Sequence, residues 1–277
     1  MLNNIKTISI TICLFLLSVT VSQAVVELVD TEGNGDQRID IDNNITSGLI
    51  ATGSGHPGDF EVLMCSTSSN GNNSFLDPTP GDWSTLNSGK CGGEGQCVLG
   101  IFGRFDESSD SSDISCNWTD PTNVFAAGSF RYKGVDNDNP VIDVACNTGG
   151  FGNTLTAPSV ITEPGSAVIR VFTNGTTVFE AFQSDQFPHG FFEALGISNQ
   201  TGEFVDEMGI SDTVLKGGPT GTVTFGQNTF DWRACTIALR MAPANIPTLS
   251  EWGILVFTLL MATSASWFIK KRSAVSN

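Results

Sequence analysis

Cys235-Thr236-Ile237-Ala238-Leu239-Arg240-Met241 places a large apolar residue at every second position, with Thr, Ala and Arg between them. A period of two is that of a strand with one buried face. Upstream, Ala167-Val168-Ile169-Arg170-Val171-Phe172-Thr173 is apolar on both faces except at Arg170, which predicts a central strand covered on both sides. Further strands are expected at 60–65, 98–105, 124–132, 141–145, 178–182 and 222–225. Turn pairs separate them, among them Asn70-Gly71, Pro80-Gly81, Pro164-Gly165 and Asn174-Gly175. No long window carries a helical stripe, and Glu193–Ile197 admits a single helical turn. Many strands, much turn punctuation and no helices predict a sandwich or jelly roll.

Composition sets the outer bounds. The 277 residues suffice for one or two domains with a sizeable core. Lys and Arg number 13 against 29 Asp and Glu, a formal net charge of −16. This argues against nucleic acid as a partner, because binding it requires a basic face that displaces phosphate counterions. Charged residues make up only 15%, below the roughly 25% of soluble domains, while Gly reaches 30 residues. Such a chain is neither a coiled coil nor a charge-rich disordered segment.

Both ends are directed at a membrane. Residues 1–24 read as a secretory signal: Lys6 supplies the positive charge, Ile8–Val21 the apolar region, and Ser22-Gln23-Ala24 the small residues of a cleavage site. An uncleaved N-terminal anchor is the alternative. At the other end, Trp252–Ile269 would form a helix about 27 Å long, close to the roughly 30 Å of a hydrocarbon core. Trp252 and Trp267 suit its two interfaces, and Lys270, Lys271 and Arg272 would stop transfer. Pro247 keeps the stretch before Trp252 extended and open to a protease. The domain reading is therefore a signal at 1–24, an extracytoplasmic body at 25–243 with its core over about 50–243, and a tail at 244–277.

That tail also carries a resemblance. Ile246, Pro247, Thr248, Leu249, Trp252 and Gly253, followed by a short span and a basic cluster, resemble the IPTL-CTERM sorting signal of Gram-negative bacteria, a relative of the PEP-CTERM system. The resemblance implies transient anchoring in the inner membrane, processing near the motif by an exosortase-like membrane enzyme, and release or transfer to the cell surface. A permanent single-span anchor is the competing reading.

The body has a resemblance of its own. Gly58-Asp59-Phe60-Glu61-Val62-Leu63-Met64, Pro80-Gly81-Asp82-Trp83, Arg131-Tyr132-Lys133-Gly134-Val135-Asp136, Asn139-Pro140, Ala157-Pro158-Ser159-Val160 and Trp232–Arg240 follow one another in this order. Together they resemble jelly-roll-like β-sandwich modules of secreted bacterial and phage proteins. The fold expected is an all-β, jelly-roll-like antiparallel β-sandwich. A fold of this kind does not fix an activity.

Cys13 leaves with the signal, so six cysteines remain in an exported chain, enough for three disulfides in fifteen possible pairings. Strand phase narrows the choice. Cys146 shares a face with Ile142 and Val144, Cys235 with Ile237 and Leu239, and Cys116 with Ile114 and Trp118. The favoured set is Cys65–Cys116, Cys91–Cys97 and Cys146–Cys235. A zinc site is disfavoured by two histidines and no CxxC pair.

Other chemistry is thinly signalled. Asp30, Glu32, Asn34 and Asp36 alternate as oxygen ligands of Ca²⁺ do, and Gly35 falls at the sixth position of an EF-hand loop; Gln37 and Ile41 then break that pattern. No cofactor is expected apart from a structural calcium at this stretch. Asp106, Glu107, Asp110 and Asp113 read as an acidic loop. His56 and His189 sit in Gly- and Pro-rich turns, and no Gly-x-Ser-x-Gly elbow occurs, so no enzyme is expected and a secreted hydrolase ranks last. Trp83, Trp118 and Trp232 suit a sandwich core better than a sugar-stacking row. The expectation is an exported surface, adhesion or matrix protein; the alternative is a carbohydrate-binding module recognising surface glycans.

Overall fold

The computed structural model describes residues 25–33, 45–50, 57–68, 73–93, 97–106, 114–122, 124–176, 191–197, 204–214, 216–229, 231–243, 258–264 and 266. Residues up to Ala242 form one compact unit and Pro243–Asn277 a second. The first is built from antiparallel sheets, as expected. One five-stranded sheet runs β1 (Glu27–Gly33), β8 (Phe125–Lys133), β3 (Phe60–Ser68), β6 (Cys97–Phe105), β5 (Ser84–Lys90). The other runs β13 (Phe191–Ile197), β14 (Phe204–Val214), β12 (Ser166–Thr176), β17 (Asp231–Leu239), β9 (Val141–Gly149). Each sheet draws on one half of the chain.

The two sheets meet over alternate side chains. Phe60, Val62 and Met64 of β3, Leu99 and Ile101 of β6, and Phe130 and Tyr132 of β8 pack on Ala167, Ile169 and Val171 of β12 and Cys235, Ile237 and Leu239 of β17. Tyr132 Oη donates a hydrogen bond to Ser211 Oγ at 2.6 Å, so this buried phenol is satisfied across the sandwich. Burial drives the Tyr132 hydroxyl to a strongly raised pKa, which keeps it protonated.

Both outer faces are covered as well. Over the first sheet lies a three-stranded sheet of order β2 (Ile45–Ile50), β7 (Ile114–Thr122), β4 (Phe75–Thr79). Ile114, Cys116 and Trp118 of β7 bury Leu63, Cys65, Phe102, Phe125 and Ala127. Over the second lies the β10 (Gly152–Ala157) and β16 (Val223–Thr229) ribbon, where Leu155, Ala157, Val223 and Phe225 meet Phe172, Ile210 and Ala234. A short pair, β11 (Ile161–Thr162) and β15 (Gly218–Pro219), completes the set among the described residues. Four β layers explain why β3, β8 and β12 are buried along nearly their whole length and read as unbroken apolar runs.

The expected helical turn at Glu193–Ile197 is a strand instead. Those residues form most of β13, which pairs with β14 from Phe191↔Ile210 to Ile197↔Phe204. Seven residues cannot nucleate a stable isolated helix, and a sheet edge supplies partners for their backbone. The strand expected at 178–182 lies outside the described residues.

Candidate functional site

The residues expected to direct sorting, Ile246–Gly253, and the basic Lys270, Lys271 and Arg272 lie outside the described residues. The residues that precede them are tied to the body. Arg240 N donates to Pro140 O at 2.8 Å, Asp136 N to Arg240 O at 3.0 Å, and Ala242 N to Gly134 O at 2.8 Å. Val135 and Met241 form a β-bridge between these bonds. Beyond Ala242 stands exposed Pro243, which has no N–H to continue the ladder.

Within the expected span of 252–269, residues 258–264 are helical, with Leu259, Leu260 and Met261 exposed. Hydroxyls on this stretch turn inward: Thr263 Oγ1 and Ser264 Oγ donate to Leu260 O, at 2.9 and 2.7 Å, and Ser266 Oγ to Ala262 O at 2.7 Å. Such bonds to the preceding turn satisfy polar groups without water. Among the described residues no helix is long and apolar enough to cross a membrane.

The six cysteines pair as the favoured set. Cys65–Cys116 joins β3 to β7 with Cα atoms 6.3 Å apart, tying the covering sheet to the sandwich. Cys91–Cys97 closes the turn between β5 and β6 at 5.2 Å, beside a Cys91 N to Cys97 O hydrogen bond of 2.8 Å. Cys146–Cys235 joins residues directly opposite in the β9–β17 register, with Cα atoms 4.1 Å apart.

Among the described residues the weaker sequence signals do not converge on a site. Asp30 and Glu32 fall in extended β1, opposite Arg131 and Ser129, while Asn34 and Asp36 lie outside the described residues. Among the described residues no group of three or more His, Cys, Asp or Glu could hold a metal ion. Glu107, Asp110, Asp113, His56 and His189 lie outside the described residues. Trp83 and Trp118 are buried, and Trp232 packs on the Phe172 cluster.

One polar cluster escaped the sequence reading. Glu61 of β3 is fully buried and stands opposite Arg104 of β6 on one side and Arg131 of β8 on the other. Arg104 donates from Nε at 3.2 Å and Nη2 at 3.0 Å, both to Oε2. Oε1 faces Arg131 Nη2 at 3.9 Å, and Arg131 Nε faces Asp106 Oδ2 at the same distance. Burial raises the Glu61 carboxyl above its ordinary range, Arg104 and Arg131 draw it back, and Asp106 adds to the rise. Arg104 is itself clasped: its guanidinium lies 4.3 Å from the Trp83 ring centroid, and Nη1 donates to Pro80 O, which also accepts from Trp83 Nε1. A signal existed in the sequence, since Glu61 interrupts an apolar run while Arg104 and Arg131 each stand just before the last aromatic residue of two similar runs. A general acid must reach a substrate, and a carboxyl with no exposed surface does not. The cluster is a tie across three strands.

Against known proteins, residues 244–270 match the family model of the IPTL-CTERM motif. No curated protein and no solved structure matches the chain. The motif implies an exported protein targeted for C-terminal processing by a sorting enzyme of the exosortase-like kind. The disulfides of the body agree with an oxidising, extracytoplasmic destination.

Proposed function

We propose that the protein is a cell-surface or secreted structural component of adhesion type, and not an enzyme. In this reading residues 1–24 are removed on export and residues 252–269 hold the precursor briefly in the inner membrane. Processing near Ile246–Gly253 then frees the sandwich or hands it to the surface. One observation carries the reading: a C-terminal sorting motif follows a body whose six cysteines all lie in disulfides. Covered outer faces and buried tryptophans favour a durable scaffold over an aromatic sugar-binding row.

Fractionation of cells tests it. Cytoplasm, inner membrane, surface and medium are probed for the body, with thiol labelling under denaturing, non-reducing conditions. Oxidised protein lacking Trp267 and Lys270 is expected at the surface or in the medium. Full-length, reduced protein confined to the cytoplasm would overturn the proposal.

A further inference from the structure

We infer that the body binds one small monovalent inorganic anion, of the size of chloride or bromide, between its two five-stranded sheets. Its donors are Arg233 Nε, Thr173 Oγ1 and Ser66 Oγ.

Register brings the three residues to one level. Thr173 of β12 stands directly opposite Arg233 of β17. On the facing sheet Ser66 of β3, Leu99 of β6 and Gly89 of β5 form one row. The Arg233 guanidinium reaches that row: Nη1 lies 2.6 Å from where a Gly89 Cβ would sit and donates to Lys90 O at 3.1 Å, while Nη2 donates to Asn87 Oδ1 at 2.6 Å. Ser66 and Thr173 follow Met64 and Val171 by two positions, so both continue the face that lines the core. Each is fully buried. Sheets packed face to face stand about 10 Å apart, a gap that two short hydroxyl side chains do not bridge.

These residues offer donors and no acceptor charge. Ser66 Oγ, Thr173 Oγ1 and Arg233 Nε are buried without a hydrogen-bond partner among the described residues. A native interior rarely leaves one such atom unpaired, and three at one level point to a ligand. Arg233 decides its kind. Both its acceptors are neutral, and among the described residues no carboxylate forms an ion pair with it. Asp231, two residues earlier on the same face, is directed at the Gly93 turn, where its Oδ1 fills the space a side chain would need. Burial lowers the Arg233 pKa, as for a cation lacking a counter-charge. Water would satisfy the hydroxyls but leave the charge uncompensated, whereas an anion accepts from all three donors and neutralises it. Buried Leu99 and Ala126 flank Ser66 and offer nothing to the further oxygens of a sulfate or phosphate. The ion would tie the sheets at this end as Tyr132 and Ser211 do at the other.

The test follows the unfolding temperature of the protein recovered from cells while chloride replaces gluconate at constant ionic strength. The unmodified chain should gain stability and saturate. Thr173→Val and Ser66→Ala should each need about tenfold more chloride, because each loses one hydrogen bond to a charged group. No chloride-specific gain, or an equal gain in all three proteins, would overturn the inference. Bromide-soaked crystals of the unmodified protein decide the matter even where neither variant folds: anomalous scattering is expected within hydrogen-bond reach of Arg233 Nε. A water at that place, or the carboxylate of Glu207, Thr173's register partner on β14, would overturn it.

Discussion

Glu61 and Arg104 are direct cross-strand partners, and two nitrogens of the guanidinium converge on one carboxylate oxygen at 3.0 and 3.2 Å. Arg104 is nearly buried, and its loss would leave Glu61 facing Arg131 at 3.9 Å. Removing one member of a buried pair costs about 3 kcal/mol or more, because the other charge stays desolvated. Arg104→Ala should therefore lower the stability of the exported form by that order in urea unfolding. Arg104→Lys keeps the charge but not the two-nitrogen grip and should recover part of the loss. An unchanged unfolding midpoint for Arg104→Ala would show that the pair contributes nothing.

The same carboxyl makes stability depend on pH in an unusual direction for an acid. Burial raises the folded Glu61 value despite Arg104 and Arg131, so the folded state binds the proton more tightly than the unfolded state. The resulting contribution is complete below the ordinary glutamate value of about 4.3 and is lost as pH rises through the raised folded value. Glu61→Gln should abolish that part of the slope. Unfolding free energies of both proteins from pH 4 to 7 give it as a difference, in which other carboxylates cancel. A difference that stays flat, or that falls toward acid, would contradict the assignment.

The three disulfides close loops of very different length. Sequence separations are 89 for Cys146–Cys235, 51 for Cys65–Cys116 and 6 for Cys91–Cys97. In the chain-entropy account these correspond to about 4.6, 4.1 and 2.2 kcal/mol. Pairwise Cys→Ala variants, followed by calorimetry, should rank in that order. The unmodified exported protein should show no free thiol when denatured without reductant. A Cys91/Cys97 variant less stable than the other two would mean that the short hairpin clasp matters through native packing and not through loop closure.

Legibility in the sequence followed burial. Strands such as β3, β6, β8, β12 and β17 are covered on both faces or alternate strictly, so hydrophobicity alone placed them. Strand phase narrowed the cysteine pairings, because it fixes the face on which a sulfur lies, and Cys146 and Cys235 share the core face with Val144 and Ile237. The edge strands β1, β5 and β13 were not placed in this way. Ser84–Lys90 is polar, glycine-containing and half exposed, and only pairing with β6 makes it a strand. Glu61, Arg104 and Arg131 form one row only after three strands adopt a particular register. Register is a property of the assembled sheet, to which each segment's own pattern is blind.

Trp118 offers the sharpest test of the covering sheet. It lies on β7, almost completely buried, stacked on Phe125 with ring centroids 5.3 Å apart and meeting Phe75 edge-on at 6.0 Å. Two residues away, Cys116 bonds to Cys65 and pins the same strand. If the three-stranded sheet is part of the core, Trp118→Ala should cost about 3–5 kcal/mol and Trp118→Phe markedly less. Ring and disulfide hold one strand from neighbouring positions, so their effects should not add. In a Cys65→Ala/Cys116→Ala background, the cost of Trp118→Ala should differ from its value in the intact protein by more than about 0.5 kcal/mol. Strict additivity, with a small loss for Trp118→Ala, would mean that β7 rests on the sandwich through its disulfide alone.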